Sequence, residues 1–272
     1  MKKKVLFLIA GLLFINFYAA AQECVTGDCA NGEGTYTFAN GDKFEGTFKE
    51  SKPTNGKYTT AKGTIYEGAF VNGKLEGQGK LTSAKGNIYT GEVKGGKRDG
   101  KGKMVYANGN IYEGDWIENK RDGICKFVQL NKGKPYGTYE GRFIADKMET
   151  NEGETATYTF ANGNVYIGEY KNNKRDGIGT YTKSGNIYKG RFVNSKMQTK
   201  EGETATYTFK SGHVYVGEYK AGKREGKGVF TYSTGDKYEG TFAANKFNGE
   251  GTYTDAKGNV KAGNWVNGEL QE

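Results

Sequence analysis

Apolar and polar positions along the chain alternate within a recurring five-residue phrase, aromatic-x-Gly-x-aromatic. Tyr112-Glu113-Gly114-Asp115-Trp116 is a clear copy. In a β-strand, residues i, i+2 and i+4 share one face, so the two rings and the glycine are expected on one side and the two acids on the other. Each copy therefore predicts a strand with an aromatic face and a charged face.

The phrase returns every 22 to 27 residues along the chain. One copy ends in an aliphatic residue, Tyr89-Thr90-Gly91-Glu92-Val93, and a worn final copy runs from Lys261 to Trp265. The predicted aromatic and glycine framework consists of Phe44, Gly46, Phe48, Tyr66, Gly68, Phe70, Tyr89, Gly91, Tyr112, Gly114, Trp116, Tyr139, Gly141, Phe143, Tyr166, Gly168, Tyr170, Tyr188, Gly190, Phe192, Tyr215, Gly217, Tyr219, Tyr238, Gly240 and Phe242.

A second element lies between the phrases, and it consists of a Gly-x-Gly pair followed by a short aromatic or β-branched run. Gly177-Ile178-Gly179 and Gly226-Lys227-Gly228 are examples, and Asn-Gly or Ser-Gly turns such as Asn162-Gly163 lead to the next phrase. Each unit thus predicts strand, turn, strand, turn. Because one hairpin buries too little to fold alone, we expect an all-β fold, an elongated single-layer antiparallel ribbon of tandem β-hairpins.

Composition supports this prediction. Glycine supplies 44 of 272 residues, whereas there are only 2 prolines, and aromatic residues make up 14% of the chain. A disordered glycine-rich linker would lack such rings.

The units resemble MORN repeats, whose pattern runs Tyr-Glu-Gly-x-Trp/Phe, then x-Asn-Gly-Lys, then x-x-Gly-x-Gly. Tyr112-Glu113-Gly114-Asp115-Trp116 and Asn72-Gly73-Lys74-Leu75-Glu76-Gly77-Gln78-Gly79 carry the resemblance, which covers about ten units over residues 31–268. It implies a MORN-type repeat solenoid that mediates protein–protein contact, self-association or binding of anionic lipid head groups.

Some units depart from the pattern. Met148–Lys171 and Met197–Lys220 are near copies, which indicates a duplication of about 49 residues. In both, the second Gly-x-Gly is lost around Ala156 and Ala205, and Cys125 stands where another unit has its second glycine. We expect a kink or a bulge at these units.

Residues 1–21 have the features of a signal peptide. Lys2, Lys3 and Lys4 precede an apolar run, and Ala19-Ala20-Ala21 offers a cleavage site. The alternative is an uncleaved N-terminal anchor. We predict export to the periplasm, the cell surface or the medium; removal of three lysines would lower the net charge from +9 to +6. Acids are interspersed with this charge, so nucleic acid is not expected as a partner.

Residues 22–30 are predicted to form an N-terminal cysteine loop that caps the first strand, and residues 269–272 a C-terminal tail. An oxidising compartment favours a disulfide between Cys24 and Cys29. Reduced thiols and a metal site are the alternatives, and the metal site lacks a nearby histidine. Cys125 remains as the odd cysteine.

The sequence offers little catalytic chemistry. The single histidine, His213, is either a general base or a turn residue, and no nucleophile is placed beside it. The repeated carboxylates Glu45, Glu67, Glu113, Glu140 and Glu239 either hold calcium or pair with lysine across strands. We therefore predict no enzyme activity, no catalytic residue, no cofactor and no metal.

Two surfaces are candidates for binding. One is a basic stripe at the hairpin tips, which could instead be only a solvated edge; its residues are Lys97, Arg98, Lys120, Arg121, Lys174, Arg175, Lys223 and Arg224. The other is the aromatic face, which either binds a partner or only packs against itself.

The leading hypothesis is a non-enzymatic scaffold for protein–protein interaction in the cell envelope or outside the cell. Its partner is an unnamed protein, and self-association is a further option. The alternatives are binding of anionic lipid or a membrane surface through the basic stripe, and binding of a glycan or cell wall through the aromatic face.

Overall fold

The computed structural model describes residues 23–272, and the regular structure in this range is entirely β-strand. The predicted signal peptide lies outside the described residues. Since residues 23–272 contain no helix, none there is long and apolar enough to cross a membrane. The chain divides into two compact units, of which unit 1 ends at Gly123 and unit 2 begins at Ile124.

Unit 1 contains nine complete strands and the start of a tenth. They are β1 (Glu23–Gly27), β2 (Glu33–Thr37), β3 (Lys43–Lys49), β4 (Lys52–Thr59), β5 (Ile65–Val71), β6 (Lys74–Thr82), β7 (Ile88–Lys94), β8 (Lys97–Val105), β9 (Ile111–Ile117) and β10 (Lys120–Asn131), which ends in unit 2.

Unit 2 continues with fourteen strands. They are β11 (Lys134–Ile144), β12 (Lys147–Met148), β13 (Ala156–Phe160), β14 (Val165–Lys171), β15 (Lys174–Lys183), β16 (Asn186–Val193), β17 (Lys196–Met197), β18 (Ala205–Thr208), β19 (Val214–Lys220), β20 (Lys223–Thr231), β21 (Lys237–Ala243), β22 (Lys246–Thr254), β23 (Val260–Val266) and β24 (Glu269–Leu270).

Strands adjacent in sequence pair antiparallel within each unit, from β1 to β9 in unit 1 and from β13 to β16 and β18 to β24 in unit 2. The predicted fold class, all-β with antiparallel tandem β-hairpins, is confirmed.

Glycines form a row across the strands, in which each lies opposite the glycine of the next strand. In unit 1, Gly68 pairs with Gly79, Gly79 with Gly91, and Gly91 with Gly102. In unit 2, Ala156 and Ala205 take positions of this row opposite Gly168 and Gly217. The units that lost their second Gly-x-Gly therefore keep the register with the smallest available side chain.

The rings at the first position of the phrase fold over this glycine row. A Cβ added at Gly179 would lie 2.5 Å from the hydroxyl oxygen of Tyr166 and 2.6 Å from its Cε2 atom. The ring reaches past the glycine, and its hydroxyl donates to the carbonyl of Glu169, 3.0 Å away. The same hydrogen bond to the residue three positions on is made by Tyr89, Tyr112, Tyr139, Tyr188, Tyr215 and Tyr238.

The core of each unit is built from these rings and those at the fifth position. Tyr166 meets Tyr170 of its own strand edge-to-face at 5.3 Å and Phe192 of the next hairpin at 5.1 Å. Such contacts bury Tyr112, Tyr139, Tyr166, Tyr215 and Tyr238 completely. Much of the aromatic framework thus packs against itself, one hairpin onto the next.

The duplicated units leave the regular hairpin path through a loop. After the two-residue strand β12 the chain makes a loop before β13, and the same happens between β17 and β18. Arg142 forms two hydrogen bonds of 2.8 Å to Glu154 across the first loop, and Arg191 forms two of 2.7 Å to Glu203 across the second. Because the loop returns to the sheet at Ala156 or Ala205, the excursion leaves the strand register intact.

The opposite face of the sheet carries the repeated carboxylates, each within salt-bridge distance of a lysine. Glu67 lies 3.1 Å from Lys80, and Glu140 lies 2.9 Å from Lys126. Glu45, Glu113 and Glu239 have lysine partners as well. Among residues 23–272, no group of three or more His, Cys, Asp or Glu side chains is arranged to hold a metal ion.

The two chain ends of the described range are short edge strands. Cys24 and Cys29 form the predicted disulfide, and the loop after it bonds to the tip of the next hairpin through Ala30 and Asn31. At the other end, Glu269 and Leu270 of the predicted tail form β24 against Val266 and Trp265. Cys125 is buried and is not in a disulfide.

Candidate interaction groove

Two rows of side chains in unit 2 define what we call the inner groove. The ring row consists of the aromatic residues that lie two positions after the second glycine of each Gly-x-Gly, or two positions after the alanine that replaces this glycine. They are Tyr158, Tyr181, Tyr207, Phe230 and Tyr253. The tip row lies near the hairpin tips and consists of Met148, Arg175, Met197, Arg224 and Phe247.

The ring row alternates with the first-position tyrosines along the sheet. Tyr181, for example, pairs with Tyr166 on one side and with Tyr188 on the other. Tyr166 and Tyr188 fold toward the glycine row and are buried, whereas Tyr181 is half-buried. Tyr207 and Tyr253 are half-buried too, whereas Tyr158 and Phe230 of the ring row are buried.

Two cavities lie between the ring row and the tip row. One, of about 310 Å³, is lined by Tyr158 and Phe160 on one side and by Met148 and Arg175 on the other. The second, of about 220 Å³, is lined by Phe230 and Tyr232 opposite Arg224 and Phe247. Both cavities combine aromatic side chains with a guanidinium, and the first adds Met148, which suits an amphipathic ligand.

The arginines of the tip row are bound within the protein. The guanidinium carbon of Arg175 lies 4.8 Å from the Tyr181 ring centre, and Nη2 donates to the carbonyl of Ser195, 3.0 Å away. Arg224 lies 5.0 Å from the Phe230 ring centre and donates to the carbonyl of Asn245 at 2.7 Å. Each arginine therefore joins one hairpin tip to the next and covers a ring.

The same arrangement recurs in unit 1, where Arg98 lies 4.4 Å from the Trp116 ring centre and donates to Asn119. Arg121 lies 5.7 Å from the ring centre of Tyr112. The four arginines of the predicted basic stripe are thus placed over aromatic rings. The exposed charge of the stripe comes from its lysines, since Lys120, Lys174 and Lys223 are exposed and Lys97 is half-buried beside Glu118.

Burial governs the electrostatics of the groove. It raises the pKa of Tyr158 to about 12, and this hydroxyl donates to Oε1 of Gln129 at 2.7 Å. Burial also lowers the pKa of Arg224 from its ordinary value. Tyr158 is therefore a neutral hydrogen-bonding group near neutral pH.

His213 has a structural contact at the turn side of the sheet. Its Nδ1 accepts a hydrogen bond of 2.9 Å from the backbone N–H of Ser233 in the next turn. Asn87 and Asn164 accept the equivalent bonds from Ala107 and Ser184. His213 thus makes at its turn the hydrogen bond to the next turn that Asn87 and Asn164 make elsewhere in the chain.

The MORN repeat family matches residues 30–43, 66–88, 89–111, 112–129, 166–186, 215–237 and 238–260, which together make up more than half of the chain. The chain belongs to the MORN repeat family. The matched segments include the strands that carry Tyr181, Phe230 and Tyr253, whereas Met148, Tyr158, Met197 and Tyr207 lie outside them. No curated protein matches the chain.

Several solved structures are similar to this MORN protein at low identity. The TCP10 domain of Danio rerio CPAP is 10% identical with a TM-score of 0.41, covering 85% of this chain and 99% of that one. The same domain with a peptide of Danio rerio STIL is 13% identical, with a TM-score of 0.38 and 85% and 98% coverage. Virginiamycin B lyase from Staphylococcus aureus is 12% identical, with a TM-score of 0.15 and 90% and 88% coverage. At these TM-scores the similarities support no functional argument.

Sequence reasoning found the framework of the MORN repeats but missed the ring row and the tip row as a pair. The sequence feature that could have indicated the ring row is the aromatic residue after each Gly-x-Gly, such as Tyr181 after Gly179. The register shift between Gly168 and Tyr170, and the position of Arg175 over Tyr181, are not visible in the spacing.

Proposed function

We propose that this MORN repeat protein is a non-enzymatic scaffold that binds a partner protein in the inner groove of unit 2. The observation that supports the proposal most is the partial exposure of Tyr181, Tyr207 and Tyr253 in the ring row. Rings that serve the core, such as Tyr166 and Tyr188, are fully or almost fully buried, whereas Tyr181 between them is half-buried beside a cavity-lining arginine. Partly exposed Tyr next to Arg and Met is the composition that protein interfaces favour.

The proposal includes export. Its support is the sequence of residues 1–21 together with the Cys24–Cys29 disulfide, a bond typical of oxidising compartments. In this setting the partner is a protein of the cell envelope or the extracellular space.

Capture from intact cells tests the proposal. A tagged wild-type chain is compared with a groove variant, Tyr181→Ala with Tyr232→Ala, and with an outer-face control, Thr180→Ala. Thr180 is the neighbour of Tyr181 on β15 and lies on the opposite face. We expect one partner to be recovered by the wild type and the control and to be lost with the groove variant.

A third variant separates the other two hypotheses. It changes Lys97, Lys120, Lys174 and Lys223 to Gln and leaves the arginines in place, because these hold the hairpin tips. If this variant alone loses binding, and the wild type binds phosphatidylserine vesicles in a salt-sensitive manner, the basic stripe is the working surface and the groove proposal is wrong. Groove-dependent recovery of glycan without protein would contradict it as well.

A further inference from the structure

A buried nitrogen without a hydrogen-bond partner belongs to the cavity of about 310 Å³ between Tyr158 and Arg175, which we call the Arg175 cavity. The atom is Nη1 of Arg175, and it is the one such buried side-chain atom within residues 23–272. Nη2 of the same guanidinium donates to the carbonyl of Ser195, 3.0 Å away. An unpaired buried donor is unfavourable, so an acceptor that reaches Nη1 supplies the hydrogen bond that the protein lacks.

The charge of the Arg175 cavity favours an anion. Among the described residues that line it, Arg175 is the one ionised side chain, and none is Asp or Glu. Burial raises the pKa of Tyr158 to about 12 and raises that of Tyr170 as well, so neither hydroxyl is negatively charged near neutral pH. One positive charge matches a carboxylate, whereas a phosphate group carries about −1.5 to −2 charges and needs more than one cation.

Asn173 offers a second donor at the same hairpin tip, and it also lines the cavity. Its Oδ1 accepts a hydrogen bond of 2.8 Å from the backbone N–H of Met148, and its own backbone N–H donates to the Met148 carbonyl at 3.0 Å. These two bonds orient the side-chain amide. Its Nδ2 is then the group that can donate to a ligand.

The remaining walls of the Arg175 cavity suit an apolar group. Met148, Tyr158 and Phe160 line it, together with Tyr136, whose side chain is 51% exposed. At ~30 Å³ for each water molecule in the liquid, the cavity has room for about ten non-hydrogen atoms. That is enough for a carboxylate joined to a phenyl ring or a branched alkyl group.

The residue at the tip of the next hairpin is consistent with the larger size of this cavity. Beside the other cavity, of about 220 Å³, Asn245 accepts from the backbone N–H of Arg224 through its side-chain Oδ1. Ser195 accepts the equivalent bond from Arg175 through Oγ, at the end of a shorter side chain. Since Ser195 lines the Arg175 cavity, an asparagine at this position would fill part of it.

From these observations we infer that the Arg175 cavity binds an apolar carboxylate, which accepts from Nη1 of Arg175 and packs an aromatic or branched alkyl group against Tyr158 and Phe160. The cavity is part of the inner groove, so the source of this ligand rests on the proposed function. A C-terminal Phe or Leu of the partner protein carries both groups on one residue, and a free small carboxylic acid has the same chemistry.

The test titrates the isotope-labelled full chain with 3-phenylpropionate and follows the backbone amide signals by NMR. Two matched ligands separate the contributions: 3-phenylpropionamide keeps the shape without the charge, and acetate keeps the charge without the ring. We expect 3-phenylpropionate to bind about tenfold more tightly than either. Equal affinity for 3-phenylpropionate and its amide would overturn the inference.

Variants assign the binding to the Arg175 cavity. Arg175→Gln should weaken binding of 3-phenylpropionate about tenfold, whereas Arg98→Gln, the equivalent change at a tip of unit 1, should leave it unchanged. Thermal melting shows whether each variant is folded.

Ser195→Asn tests the cavity without removing the guanidinium. Ser195 and Asn245 both have positive φ, 69° and 77°, so the tip accepts asparagine and the variant should fold. By filling the cavity it should weaken binding about threefold. Unchanged affinity in both Arg175→Gln and Ser195→Asn, or an equal loss with Arg98→Gln, would contradict the assignment.

A peptide that ends in Phe distinguishes the two sources. Tighter binding of its free carboxylate form than of its amidated form and of 3-phenylpropionate supports a partner's chain end, whereas binding of 3-phenylpropionate alone supports a free acid. If neither ligand binds but cellular capture still depends on Tyr181 and Tyr232, the inference is wrong and the proposed function stands. If 3-phenylpropionate binds but capture is independent of these residues, the proposed function fails and the carboxylate site stands.

Discussion

At the scale of single residues, the cross-strand glycines provide the space in which the tyrosine rings lie. Gly179 is the clearest case, because its neighbours at 2.5 and 2.6 Å from an added Cβ are atoms of the buried Tyr166 ring. That ring is held between Tyr170 and Phe192 and cannot move aside. The constraint at Gly179 is therefore steric.

Gly179→Ala should consequently lower the free energy of unfolding by about 1–3 kcal/mol, the usual result of overpacking a core. Urea unfolding measures this change in the free energy of unfolding. The matched control is Ala205→Gly in the same row, where the loss should be limited to the backbone entropy of glycine, about 0.5–1 kcal/mol. Equal midpoints for the wild type and Gly179→Ala would show that the ring does not need the space.

In the Lys-Arg pair at a hairpin tip, substitution of the arginine should lower the free energy of unfolding more than substitution of the lysine. Arg224→Gln removes a charged donor to Asn245 and the cover of the Phe230 ring, so we expect a loss of about 1.5–3 kcal/mol in the free energy of unfolding. Lys223→Gln is the control, because Lys223 is exposed and a surface charge contributes about 0–1 kcal/mol. Urea unfolding of the two variants compares them, and an equal loss in both would contradict the placement of Arg224.

At the scale of elements, the loop between β17 and β18 depends on an ion pair with a defined pH response. Hydrogen bonding with Arg191 lowers the pKa of Glu203 from its ordinary value of 4.5 to about 2, and Glu203 also accepts from the backbone N–H of Lys200. A depressed carboxyl pKa contributes stability that is present above the ordinary value and is lost as pH falls through the lowered one.

We therefore expect this loop to lose order between about pH 4.5 and pH 2. Hydrogen exchange of the Lys200 amide follows the change directly. Glu203→Gln should remove its protection already at neutral pH, whereas Glu201→Gln, on the same exposed loop, should leave it unchanged. A Lys200 amide that exchanges equally fast in the wild type and Glu203→Gln would show that the ion pair does not order the loop.

Much of this element structure can be predicted from sequence. The positions of Tyr166, Gly168 and Tyr170 give the strand β14, its buried face and its place in the register. The inner groove could not be predicted in the same way. Whether Arg175 extends into solvent or folds over Tyr181 depends on the Ser195 carbonyl, which comes from the neighbouring hairpin.

At the scale of the whole molecule, export and oxidation are linked expectations. If the signal peptide is removed, the secreted chain should begin at Gln22 and carry the Cys24–Cys29 disulfide with Cys125 as its one thiol. Intact mass measured under denaturing conditions with an alkylating reagent, before and after reduction, checks this. One added group before reduction and three after it are expected; a mass that retains residues 1–21 would favour the uncleaved anchor.

The central claim is that a partner protein lies in the inner groove of unit 2, and site-specific photo-cross-linking tests it most directly. A p-benzoylphenylalanine is placed at Tyr181, in the ring row beside Arg175, or at Thr180, its neighbour on the opposite face of β15. After irradiation of intact cells, we predict one discrete protein adduct from the Tyr181 position and none from the Thr180 position. An adduct from Thr180 with none from Tyr181 would contradict the claim and move the binding surface to the charged face.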